Sequence, residues 1–224
     1  MLRDRMEELK KKLIEYATLV EDMIDKSIKG LLEKNSDLLE EVIKKQEPLA
    51  NTFDREIDEK CTTLIAQFEP VAKDLRTVIM IIKMNKDLER MADHAVNISE
   101  SSLFLITRPL IKPLNNISSM AKTSSVMLKE SIDAFVNEDV ALARSVRERD
   151  NVVDSLGDTI ALELTDFIRG ERDGIKRSLH LMRIAHNLER IADLATNICE
   201  EVVYIVEGRD IKHHKYDANN SAAA

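Results

Sequence analysis

The sequence predicts an all-α fold of two tandem, pseudo-repeated three-helix bundles, six long helices in all. Three observations predict it. Only 5 Gly, 4 Pro and no Trp occur in 224 residues, while 33% of residues are charged. Long helices suit that composition, whereas a sheet protein needs more turn-forming and aromatic residues. Residues 88–100 read LERMADHAVNISE and residues 188–200 read LERIADLATNICE, so nine of thirteen positions are identical one hundred residues apart. Apolar residues also recur at helical spacing in matching places. At an offset of 103, Phe53, Ile57, Cys61, Leu64 and Ile65 fall on Leu156, Ile160, Leu164, Phe167 and Ile168, a stripe at i, i+4, i+8, i+11 and i+12.

The first helix, 4–34, ends at Asn35-Ser36-Asp37, a stop and N-cap signal. The second, 37–68, is broken by Pro70. The third, 72–107, runs to Arg108-Pro109, where the largest interruption begins and extends to Pro113. The fourth and fifth cover 113–137 and 139–169. GERDG at 170–174 mirrors Pro70, and the sixth helix covers 174–207. At 1.5 Å rise per residue each is on the order of 40–50 Å long. Ser27-Ile28 matches Ser131-Ile132 at an offset of 104, so the offset falls from 104 to 103 to 100 along the repeat. A constant offset of 100 would place Ile57 on Gly157 and lose the apolar register. The offset is therefore expected to change only between helices, where loops absorb insertions. The expected division is 1–108 for the first bundle, 109–212 for the second and 213–224 for a flexible tail, with DANNSAAA at its end read as disordered.

Charge and motifs exclude several classes. The net charge is −8 with no basic block, which argues against a nucleic-acid partner. The opening MLRDRMEELKKK has no apolar signal core, and apolar runs such as VIMII at 78–82 are too short to span a bilayer. Cys61 and Cys199 match no metal or redox spacing and read as reduced core thiols of a cytosolic protein. No nucleophile–base constellation, P-loop or dinucleotide fingerprint occurs.

The repeated segment carries the candidate chemistry. Glu89 with Asp93, and Glu189 with Asp193, are i, i+4 pairs that share a helix face beside the Leu88, Ala92, Ala95, Ile98 stripe and its copy. Such like-charge pairs cost a helix roughly 0.2–0.5 kcal/mol each, and a cation is the obvious compensator. Hard cations and iron take carboxylate oxygens. The second helices offer Glu47 with Asn51 and, at offset 103, Asp150 with Asp154. Asp54 and Asp58 extend the acidic face in the first half, and Asn97 and Asn197 extend each column by a turn. Exposed carboxylates on a long helix are also ordinary, and Arg90 or Arg190 could neutralise them. None of the five histidines has Glu three residues before it, so a ferritin-like di-iron step is missing. His186 precedes Glu189 by three but is answered by Lys86. His94 reads as a boundary residue, and His213 and His214 as weak metal ligands at most.

LERMAD and LERIAD, the NI dipeptides after them and the closing VEGRDIKHH resemble the PhoU family of bacterial phosphate-uptake regulators, from about residue 5 to 214. The resemblance implies tandem three-helix bundles and a cytoplasmic or peripheral, usually dimeric protein without enzyme activity. It implies repression of the phosphate-starvation response, linking a phosphate ABC transporter, through its ATPase subunit, to a sensor histidine kinase. It also implies metal ions or iron clusters (Fe, Mn, Mg or Zn) at E(D)xxxD motifs. Carried onto this chain, those are Glu89–Asp93, Glu189–Asp193, Asp150–Asp154 and Glu47–Asn51, where Asn51 departs from the acidic pattern. Two rival readings stand beside it. One is a metal-free acidic scaffold that docks basic partner surfaces; the other is a metal-dependent hydrolase, for which no Lys, Arg or His cluster that would hold an anionic substrate is visible.

Overall fold

Each half starts with a long helix that is stopped in the same way. Helix α1 (Leu2–Glu33) ends at Lys34, which takes a left-handed φ of 54°. The Asn35 side chain then accepts from the Asp37 and Leu38 amides and opens α2 (Ser36–Glu41). At an offset of 104, α5 (Asn115–Asn137) ends at Glu138 with φ 51°, and Asp139 accepts from the Leu142 amide to open α6 (Val140–Glu148). Ser27 and Ser131 each donate to the carbonyl three residues back, both at 2.7 Å. The duplication thus reaches individual hydrogen bonds. The computed structural model describes residues 1–111, 113–170 and 174–209. His213, His214 and the tail 213–224 lie outside the described residues.

The rods continue with α3 (Glu47–Phe68), α4 (Ala72–Ile106), α7 (Asp150–Gly170) and α8 (Ile175–Glu207). No strand occurs among the described residues. The fold is the expected tandem repeat of three-helix units, with one correction. The second rod of each half is not a single α-helix. In the first half α2 and α3 are joined by a π-helical segment, Val42–Gln46; in the second, α6 and α7 meet at a break around Arg149. The offset therefore changes inside a rod rather than in a loop. Leu39 and Val42 are buried like Ala143 and Val146 at offset 104, whereas Ala50 and Ile57 are buried like Val153 and Ile160 at 103. The first half holds one residue more between those anchors. A π turn absorbs one extra residue while leaving the flanking apolar faces in register.

Helices α1, α4, α8 and α5 pack in a closed cycle, with α3 against α1 and α4, and α7 against α5 and α8. The α4–α8 contact is the most extensive, and the two run antiparallel: His94 meets Asn187, Asn97 meets Arg183 and Lys83 meets Glu201. One apolar core runs through both halves, so the bundles share it rather than forming separate cores. Small Ala92, Ala95, Ala192 and Ala195 on the inner stripes, all buried, leave room for that close approach. Cys61 and Cys199 are free and buried in the core, and burial pushes both thiols up to about 12.

Candidate acidic metal-binding faces

The core stripe fixes how α4 and α8 are rotated. Leu88, Ala95 and Ile98, and Leu188, Ala195 and Ile198, are fully buried. One position round, Glu89 and Glu189 are half-buried at the bundle edge, with Asp193 half-buried and Asp93 exposed. The edge position lets these carboxylates face the second rods without leaving water.

In the second half the four sequence-predicted carboxylates lie within electrostatic reach of one another. Asp150 opens α7, and its carboxyl is pushed up to about 6, first by burial and then by Asp154, Asp193 and Glu189. Burial, Asp193 and Asp158 also raise Asp154. Asp150 Oδ1 is buried with no hydrogen-bond partner among the described residues. Gly157 faces Glu189: a Cβ built there would lie 3.6 Å from Glu189 Oε2 and 3.5 Å from Met120 Cε. Arg190 donates to Asp193 Oδ2 at 3.0 Å, and Arg144 and Arg147 line a cleft with Asp150. His186 Nδ1 lies 4.0 Å from Glu189.

The first half has the same layout and different charges. Burial raises Glu89, assisted by Asp93 and Asp54, and burial followed by Glu47 raises Asp93. Asn51, the departure from the acidic pattern, donates its amide to Glu47 Oε1 at 2.6 Å. Asp54 and Asp58 are not free carboxylates. Lys86 Nζ reaches both Asp54 oxygens, at 2.9 and 3.0 Å, and Asp58 Oδ2 at 3.0 Å. Burial lowers the Lys86 ammonium, but those bonds outweigh it and hold its pKa above the ordinary range. Buried Asn85 donates to Asp54 Oδ1 at 2.8 Å and to Asp58 Oδ1 at 3.2 Å.

Asn97 and Asn197 lie on the α4–α8 seam. The Asn97 oxygen accepts from Arg183, and Asn197 lines a cleft with Arg90, His94, Arg190 and Asp193. His94 is a half-buried seam residue whose Nδ1 lies 2.7 Å from Asn187 Oδ1.

The donor set, carboxylate and amide oxygens, suits a hard cation or iron, and the orphaned Asp150 oxygen is a ready donor. Among the described residues no group of three or more His, Cys, Asp or Glu is drawn together closely enough to hold an ion. Cation binding there therefore entails side-chain rotation. Sequence reasoning passed over Asn85, Lys86 as a neutralising partner, and Tyr16, a buried α1 residue in the field of Asp54, Glu89 and Asp93. Asn85 did leave a signal: an amide at a core position where the other copy has Ala185.

Comparison with known proteins covers the same two halves. The family model described as the PhoU domain matches twice, at residues 13–102 and 117–202. A phosphate-specific transport system accessory protein PhoU homolog of Aquifex aeolicus (strain VF5) is 38% identical over 208 residues, spanning 93% of this chain and 94% of that protein. PhoU homolog 2 of Thermotoga maritima is 35% identical over 212 residues, spanning 95% and 90%. The crystal structure of PhoU from Pseudomonas aeruginosa superposes with a TM-score of 0.90 at 30% identity, covering 93% of this chain and all of that one.

Proposed function

The chain belongs to the PhoU family, and we propose that it serves a phosphate-specific transport system as an accessory, regulatory protein. In this reading it restrains phosphate uptake and the starvation response. It is a cytoplasmic helical adapter, working as a homodimer at the inner membrane face, between the transporter's ATPase subunit and a sensor histidine kinase. The observation that carries the reading is that relatives named for the accessory role align over nine-tenths or more of both chains, through both halves. Among the described residues no helix is long and apolar enough to cross a membrane, so membrane contact would run through partners. Binding of the isolated ATPase subunit and of the kinase's cytoplasmic part, measured by calorimetry, tests the adapter role. Binding to neither would reject it.

We further propose that divalent cations or an iron cluster occupy the acidic faces. Asp150, Asp154, Glu189 and Asp193 would hold one, and Glu47, Asn51, Glu89 and Asp93 another. The bound charge would relieve the repulsion that helps hold Glu89, Asp93, Asp150 and Asp154 above their ordinary range. By taking both rods as ligands, these side chains would tie α3 to α4 and α7 to α8. Elemental analysis of untagged protein tests this beside a variant with Glu89, Glu189→Gln and Asp93, Asp193→Asn. Metal present in the wild type and lost from an equally helical variant is the expected result. Unchanged metal content would reject the assignment.

A second reading is favoured by the absence of any three-ligand group among the described residues. The faces would then dock basic partner surfaces without metal. Partner binding would weaken with salt and ignore chelators.

A further inference from the structure

The register of the α4–α8 seam sets the two copies of the LERxAD segment face to face at one residue. Asn97 meets Arg183, and His94 meets Asn187, across antiparallel helices. Carried back along α4, that register brings Arg90 opposite Arg190, its own copy at the repeat offset of 100. Antiparallel copies are related by a local two-fold axis, and the axis passes where a residue meets its copy. The two guanidiniums therefore flank it. Both line one cleft of about 400 Å³, together with His94, Asp193 and Asn197. Arg190 donates to Asp193 Oδ2 at 3.0 Å, and Arg90 lies 3.8 Å from Asp87 on its own helix. A guanidinium carries several N–H donors in a planar fork, so each arginine keeps donors to spare. The cleft also holds acceptors. Asp193 brings a carboxylate. The His94 tautomer is set by its neighbour: the Asn187 amide donates to the Arg183 carbonyl, so Asn187 Oδ1 accepts the proton that His94 Nδ1 carries. Burial outweighs that bond and holds the ring below its ordinary pKa, which leaves Nε2 a lone-pair acceptor at neutral pH.

We propose that this seam cleft binds inorganic phosphate in a protonated form, with Arg90 and Arg190 donating to its oxygens from either side of the axis, Asn197 adding an amide donor, and Asp193 accepting from a P–OH. Guanidinium forks match the oxygens of a tetrahedral oxyanion. The acceptors choose among such anions. Inorganic phosphate carries one or two O–H groups at neutral pH, so it can donate to Asp193 and to His94 Nε2. Sulfate has no such proton, and a phosphate monoester, with a second pKa of roughly 6, has mostly lost it. Either would set a bare anionic oxygen against the Asp193 carboxylate, and that repulsion discriminates against them. The seam also gives each copy of the segment a reason to keep its arginine, since one copy supplies one side of the same cleft. The inference rests on neither the cation nor the adapter reading.

Calorimetric titration of the full chain with inorganic phosphate tests this at neutral pH, with chelator present so that no cation carries the anion in. Wild type is expected to bind phosphate, and Arg90→Gln and Arg190→Gln each to weaken it by about tenfold or more, the weight of a charge-assisted hydrogen bond. Both side chains are more than half exposed, so the variants should keep the wild-type helicity and urea midpoint. Sulfate and phosphoserine should each bind at least about tenfold more weakly than inorganic phosphate. Asp193→Asn should narrow that preference, which a merely structural role of Asp193 would not do. No phosphate binding by wild type, binding unchanged in both arginine variants, or a preference unchanged in Asp193→Asn would overturn the proposal. Phosphoserine binding as tightly as phosphate would overturn it in favour of a phosphorylated side chain as the ligand. Sulfate binding as tightly would overturn it by showing that charge alone selects the anion. Each of these failures leaves the cation and adapter readings standing, because their tests use metal and partner proteins.

Discussion

Replacing Asp150 by Asn should stabilise the cation-free protein at neutral pH. The Asp150 carboxyl is pushed from 3.8 up to about 6 by burial, Asp154, Asp193 and Glu189. At 1.36 kcal/mol per pKa unit, that difference corresponds to about 3 kcal/mol of unfavourable ionisation in the folded state. The side chain is only partly buried, so solvent screening roughly halves it. Asp150 also begins α7, where a carboxylate gains roughly 0.3–1 kcal/mol from the helix dipole that Asn would forgo. The net expected gain is about 1 kcal/mol. The sign follows from which state binds the proton more tightly. Above pH 6 the group is ionised in both states and the folded state bears the whole penalty; below about pH 4 it is protonated in both and bears none. The advantage of Asp150→Asn should therefore be full near pH 7, shrink through the window between 6 and 4, and vanish below it. Urea unfolding followed by far-ultraviolet circular dichroism, with chelator present, measures this at each pH. A variant less stable than wild type at neutral pH would refute the reasoning, and a gain independent of pH would assign it to packing rather than charge.

Four further outcomes are expected. Gly157→Ala should raise stability by roughly 0.5–1 kcal/mol in urea unfolding, because the new Cβ meets Met120 and Glu189 at ordinary contact distances of 3.5 and 3.6 Å. Deleting Lys45 should preserve helicity and cooperative unfolding, since it removes an exposed residue and gives the first rod the spacing of the second. Deleting Thr62, also exposed, should abolish cooperative thermal unfolding, because the α3 apolar stripe beyond it then turns about 100° out of register. Lys86→Met should cost about 1–2 kcal/mol in thermal melts at neutral pH, because half-buried Asp54 loses its bidentate cation and Asp58 loses its partner.

Much of the fold is written locally. The Asn35 and Asp139 caps, the break at Pro70 and the apolar stripes act through neighbours within a turn or two, so residue order suffices to place them. The π segment is different. VIKKQ carries no local mark of a wider turn; the fall in offset from 104 to 103 shows an extra residue, but its place inside the rod becomes visible only when Val42 and Val146 are found buried on the same face. The candidate site divides similarly. The i, i+4 carboxylate pairs are intrahelical and legible, and so was their facing by Glu47 and Asp150 once the repeat had been aligned. The neutralisation of Asp54 and Asp58 by Lys86 and Asn85 was not, because it depends on how α3 is rotated against α4. Nor was Tyr16, which packs on Phe53 of α3 from a third helix, α1, that the acidic motif does not include.

That division bears on why two copies of one segment coexist. Duplication gave both faces the same pairing of helices, so beyond the π segment and the Arg149 break their differences lie in single side chains. On the α3–α4 side, Asn51 holds Glu47, while Lys86 and Asn85 hold Asp54 and Asp58, and the neutral Tyr16 hydroxyl lies beneath. At the matching places the α7–α8 side has Asp154, Ala185, His186 and Met120. Its four carboxylates are set against Arg190, which engages Asp193, and the orphaned Asp150 oxygen is left over. Asp150, whose carboxyl is pushed up to about 6, lies there, and a cation arriving from solution would relieve that repulsion. If both faces bind, the α7–α8 face should fill first as Mn²⁺ is added, and the α3–α4 face only where the ion competes with Lys86 for Asp54. Filling in the opposite order would mean that charge repulsion does not set the order of affinity.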